Sequence, residues 1–209
     1  MPTINYSVSL AGAGSSISAA VPRVQDGADS REVTLPVAQS GSLTTRTNAT
    51  AGVLTMASAN HGIANASLID VFWSGGRRYG ATVQNVTGNA VTFNQGSGDN
   101  LANANTATTA ATQVLINLAI TGSLLKIMGI MPVSADTSKT QQAHADFQDI
   151  NGVAVNAIPM SHNVPQVFDV AGGGANPLTG NAVEKIKAAN GDPTNQAVLT
   201  IIVGQDSTP

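Results

Sequence analysis

The chain has 209 residues, no cysteine and a formal net charge of −3, and only 10% of its residues are charged, where an ordinary domain carries about 25%. This excludes disulfides, zinc–thiolate sites and thiol catalysis, together with the basic footprint of a general nucleic-acid binder. With 42% apolar residues, the chain can bury the core of one large or two small domains and does not read as disordered.

The N-terminal MPTINYSVSLAG has no basic start followed by an apolar run, so it does not read as a secretion signal. The expectation is a chain made and folded in a cytoplasm, where the sequons at Asn48, Asn65 and Asn85 have no use. Within that start, Ile4, Tyr6, Val8 and Leu10 alternate with Asn5, Ser7 and Ser9, the period of a half-buried strand. Val33, Leu35 and Val37 repeat it. Leu68 to Trp73, a turn at Ser74-Gly75-Gly76, and Tyr79 to Val86 read as a β-hairpin. Thr87-Gly88-Asn89 then turns into Ala90 to Phe93, which makes a three-strand meander. Leu115, Ile116 and Ala119 give a less regular strand.

Ile127 to Val133 is the longest apolar run and is far short of a membrane span. From Asn181 to Asn190, Ala182, Val183, Ile186 and Ala189 have helical spacing, with Asn181 as a cap and Gly191 as a stop. The same stretch, followed by Asn190-Gly191-Asp192-Pro193, also suits a hairpin into Gln196 to Val203, which is rich in β-branched residues.

Short strands bounded by frequent glycine turns predict an all-β protein, a sandwich or a barrel. All five arginines lie at or before Arg78 and all four lysines at or after Lys126, and residues 100–112 and 134–142 are polar linkers. These shifts predict a strand-rich unit over 1–125, containing a small β-barrel-like unit at about 42–120, and an antiparallel β-sandwich over 126–209.

Few residues suggest chemistry. His61 precedes a turn glycine with no nucleophile or base in a recognisable frame. His144 and Asp146 are two apart and share a strand face, with Asp149 facing the other way, and two ligands are too few for a metal. Gly12-Ala13-Gly14 and Gly172-Gly173-Gly174 lack the context of a phosphate loop, and Gly96 to Asn100 offers one carboxylate where calcium needs several. No catalytic residue, cofactor or metal is expected. One hairpin concentrates Trp73, Arg77, Arg78 and Tyr79, residue types enriched at interface hot spots.

Gly52-Val53-Leu54-Thr55-Met56, His61-Gly62-Ile63, Leu68 to Trp73, Tyr79-Gly80, Val86-Thr87-Gly88 and Val91-Thr92-Phe93 together resemble a small β-domain of tailed-bacteriophage virion proteins. The stretch from Asn176-Pro177-Leu178 to Ile201 resembles strand pairs of phage β-sandwich domains. The resemblance implies a non-enzymatic virion part, foremost a capsid decoration (cement) or minor capsid protein. Such a protein would be assembled in the host cytoplasm and would bind copies of itself, as a trimer, and the major capsid protein or another virion protein. It would bind neither nucleic acid nor membrane. The alternative is a tail, baseplate or fibre module recognising carbohydrate. Low charge and flat strands suit a chain that buries surface on neighbours. The expected contacts are the arm Pro2 to Leu10, including Ile4 and Tyr6, the Trp73–Tyr79 hairpin and the alanine-rich segment 102–111.

Overall fold

The computed structural model describes residues 3–12, 15–24, 27–118, 124–135, 143–149, 154–178 and 183–206. All their long regular elements are strands, as the alternation predicts. In chain order these are β1 (Thr3–Gly12), β2 (Ser15–Val24), β3 (Gly27–Leu35), β4 (Gln39–Arg46), β5 (Gly52–Met56), β6 (Leu68–Trp73), β7 (Gly76–Thr87), β8 (Ala90–Asn94) and β9 (Ser97–Gly98). They continue with β10 (Thr106–Thr112), β11 (Val114–Asn117), β12 (Leu125–Ser134), β13 (Ala143–Asp149), β14 (Ala154–Met160), β15 (Gln166–Asp169), β16 (Val183–Asn190) and β17 (Ala197–Gln205).

The order β6-β10-β4-β5-β8-β7 closes on itself through a β6–β7 pairing, giving a six-stranded antiparallel barrel. Its interior is filled by alternate residues, among them Leu43, Leu54, Ile69, Val71, Val91 and Phe93. Burying each such large side chain contributes about 1.5–3 kcal/mol. The predicted meander is β6–β7–β8, with turns at Ser74-Gly75 and at Gly88-Asn89. Gly88 has φ 59°, the left-handed conformation that a two-residue hairpin turn requires. A second positive φ, 61° at Gly80, falls where the β6–β7 register slips between Ile69 and Val71. This β-bulge re-aims Asp70 and Tyr79.

The second body is a sandwich. Sheet β11-β16-β13-β14 shares one hydrophobic core with sheet β15-β12-β17-β3. Ile186, Ile158 and Met160 come from the first sheet and Met128, Ile130, Leu199 and Ile201 from the second. The sheets do not follow the chain-order boundary between residues 125 and 126. β3 pairs with β17 along its whole length, and β11 pairs with β16. The barrel is thus inserted between two strands of the sandwich, a non-local pairing that leaves no mark in local composition.

Residues 183–190 are a strand, not a helix, and not half of a hairpin with β17. β16 lies between β11 and β13, whereas β17 lies between β12 and β3 in the other sheet. The helical spacing has a physical origin: β16 is buried on both faces. Ile186 and Ala188 enter the sandwich core, while Ala189 packs with Ala38 and Ala111 on the barrel side. A strand covered on both faces loses its alternation. The following turn carries the chain from sheet to sheet, and Asp192 fixes it by accepting from the N–H groups of Thr194 (2.7 Å) and Asn195 (3.1 Å).

Candidate functional site

The Trp73–Tyr79 hairpin sends its four singled-out side chains to different places. Arg78, expected at an interface, is only 4% exposed. It lies opposite Val71 across the β6–β7 ladder. Its Nε donates to the Gln95 carbonyl, Nη1 to that of Asp99 (2.8 Å) and Nη2 to that of Gly96 (2.8 Å). Arg78 is therefore an internal clamp on the 95–99 loop, not a residue held out for a partner. Tyr79 is also buried. Its ring stacks on His144 at 3.8 Å and 6° and meets the edge of Phe72 at 6.2 Å. Burial pushes its hydroxyl pKa up to about 12.

Trp73 and Arg77 remain half-buried and line an open groove of about 940 Å³. Phe72 to Arg77 and Asp99 form one side, Thr106 to Thr109 of β10 and Ser40-Gly41 another, and Gly191 and Pro193 of the sandwich turn close it. The alanine-rich segment 102–111 is mostly β10, locked between β4 and β6, with Ala110 and Ala111 buried. Ile4 and Tyr6 lie in β1 opposite Arg23 and Val21 of β2. The β1–β2 ribbon pairs with no other described strand.

A second polar cluster lies between the two bodies, where the sequence reading saw only half of it. His144 and Asp146 share a face of β13, as expected, and both are buried. His144 Nδ1 is 2.8 Å from Asp70 Oδ2 on β6, and neither side chain is exposed at all. Asp70 Oδ1 accepts from the Gly80 N–H (2.8 Å) and Gln113 Nε2 (2.7 Å). Three donors thus converge on Asp70, and its Oδ2 faces Nδ1 of His144. Asp146 is less well served, because its Oδ1 has no partner among the described residues and burial raises its pKa. Lys187, across the ladder from it, is pulled down by burial. Asp70 was missed because its partner lies 74 residues away. The available signal was a carboxylate inside the otherwise apolar run LIDVFW.

The remaining sequence candidates are structural. His61 Nδ1 accepts from the Ile63 N–H (3.0 Å), leaving Nε2–H to donate to the Gly88 carbonyl (3.4 Å). It pins its loop to the β7–β8 turn. Gly172 to Gly174 form a turn closed on Asp169. Residues 13 and 14 of the first glycine segment lie outside the described residues. The Asp149 side chain also lies outside them. Among the described residues no group of three His, Asp or Glu side chains is placed to hold a metal.

No protein-family model, curated protein or solved structure matches the chain.

Proposed function

We propose that the chain is a non-enzymatic structural protein of a tailed-phage virion, a head decoration (cement) or minor capsid protein. It works by covering, and being covered by, copies of itself and the major capsid protein. The observation that supports this most is the β1–β2 ribbon. Its two ten-residue strands pair only with each other among the described strands, and a lone two-stranded ribbon is marginal in water unless something packs on it. Register puts Tyr6 opposite Val21, Val8 opposite Ala19 and Leu10 opposite Ile17, so apolar positions pair with apolar positions across the ladder. Such a ribbon suits an arm that reaches a neighbour.

The test is light scattering on the purified chain, with and without the major capsid protein from the same source, beside Val8→Asp. The expected result is a trimer or larger assembly that binds capsid shells, with both properties lost in the variant. A chain that stays monomeric at high concentration and ignores shells refutes the proposal. The alternative, a carbohydrate-recognising module of a tail or fibre, has one specific observation in its favour, the groove beside Trp73.

A further inference from the structure

The groove has a built wall. Trp73 is the single tryptophan of the chain. A Cβ at position 76 would lie 2.9 Å from the Trp73 ring and 2.8 Å from Asp99 Oδ2, so the glycine there lets indole and carboxylate flank the turn together. Asp99 Oδ2 is oriented by the Arg77 N–H at 3.0 Å. The Arg77 guanidinium makes no hydrogen bond among the described residues.

The opposite side is a seam in the barrel. β10 pairs with β4 from Thr106 onward but with β6 only from Thr109, opposite Phe72. One edge of residues 106–108 therefore has no described strand beside it, and these residues line the groove. The Thr108 hydroxyl is buried with no partner among the described residues.

This chemistry selects a ligand class. The charges of Arg77 and Asp99 cancel, which gives no net pull on phosphate or nucleic acid. A purely apolar ligand would leave the guanidinium, the carboxylate and the strand edge without partners, at a cost. A sugar ring has an apolar C–H face that fits an indole, and a rim of hydroxyls that both donate and accept. The volume of about 940 Å³ is near the top of the ~300–1,000 Å³ typical of ligand sites, and so fits several sugar units.

We propose that this groove binds a neutral oligosaccharide, with Trp73 as the stacking platform and Arg77 and Asp99 holding its hydroxyls. The inference deepens the carbohydrate reading above and does not depend on the assembly reading.

Because Trp73 is the only tryptophan, its emission reports the groove directly. The full chain is titrated with maltohexaose, cellohexaose, mannohexaose and chitohexaose, with sialyllactose and inorganic phosphate as charged probes. The expected result is a saturable change in emission with at least one neutral oligosaccharide, weakened about tenfold or more, some 1.4 kcal/mol, by Asp99→Asn and by Arg77→Ala. Both variants should melt like the parent. Three results overturn the proposal. One is silence from every neutral sugar up to about 10 mM, where binding falls below about 3 kcal/mol. Another is a response to the charged probes alone. The third is an emission change that follows protein concentration without sugar, which means a second copy fills the groove. Light scattering on the same samples reads assembly separately, so loss of sugar binding and loss of assembly are distinguishable.

Discussion

Replacing Asp70 by alanine tests the joint between barrel and sandwich. The carboxylate accepts from the Gly80 N–H, Gln113 Nε2 and His144 Nδ1, at 2.7–2.8 Å. Both it and His144 are completely buried. The substitution leaves three donors without an acceptor, each costing about 1–3 kcal/mol when no water can replace it. The donors share one site and relax together, so the sum is an upper bound. Removing one partner of a buried pair costs about 3–5 kcal/mol, and that range is the expected loss. Asp70→Asn should lose less, because its amide oxygen can still serve Gly80 and Gln113 while its N–H₂ faces a His144 that shifts its proton to Nε2. Urea unfolding followed by Trp73 emission, which reads the barrel, and by far-UV circular dichroism, which reads all strands, gives both the loss and the coupling. The two curves should coincide in the parent and separate in Asp70→Ala. A loss under about 1 kcal/mol, within the ordinary spread of surface substitutions, with coincident curves refutes the joint.

Other substitutions separate further roles. Arg78→Ala should cost about 2–3 kcal/mol, since a charged donor leaves three carbonyls, whereas Arg77→Ala should stay within about 0.5 kcal/mol; equal shifts in melting midpoint would place both on a solvated turn. Tyr79, with its pKa raised by burial to about 12, holds its proton more tightly in the folded chain. Its contribution is complete below the ordinary value of 10 and is lost as pH rises through about 12, a span of about 3 kcal/mol. Tyr79→Phe should remove that alkaline loss and cost little at neutral pH, because Oη has no partner among the described residues; melting curves at about pH 8 and about pH 11.5 check both. Asp146 is likewise raised by burial, so its contribution is present below the ordinary 3.8 and lost as pH rises through the folded value. Asp146→Asn should therefore gain on the parent as pH rises from about 4 to 7, and a difference in melting midpoint independent of pH would contradict the assignment.

The fold was legible where interactions are local. Residues 68–93 combine alternating apolar positions with glycines that must turn, and the structure follows them strand by strand. It was illegible where partners are distant or where both strand faces are covered. β16 reads as helical because Ile186 and Ala189 are buried on opposite faces, and nothing near Gly27–Leu35 indicates that its partner is Ala197–Gln205. The hairpin drew notice for its Trp and two Arg. A one-residue bulge beside Gly80 decided which of them stay outside, and a bulge has no dependable local signature beyond its glycine.

The insertion has a mechanical consequence for the assembly role proposed above. Two chain crossings join barrel to sandwich, and both are tied down. Before β4, the Ala38 N–H donates to the Asp192 carbonyl at 2.8 Å and Asn190 Nδ2 reaches the Pro36 carbonyl at 3.4 Å. After β10, Gln113 is held by Asp70. Between the crossings, Thr109 Oγ1 donates to the Gly191 carbonyl at 2.9 Å, and Asp70 meets His144. A hinge needs a few residues free to absorb a change in backbone angle, and these contacts take the freedom away. The described barrel and sandwich should therefore meet a neighbour as one rigid body, with little ordering cost at the moment of binding. A rigid body also fixes the groove wall at Gly191 and Pro193 against the one at Trp73. Loosening the joint with Asp70→Ala should consequently alter Trp73 emission in the folded chain, well before the urea concentration at which it unfolds.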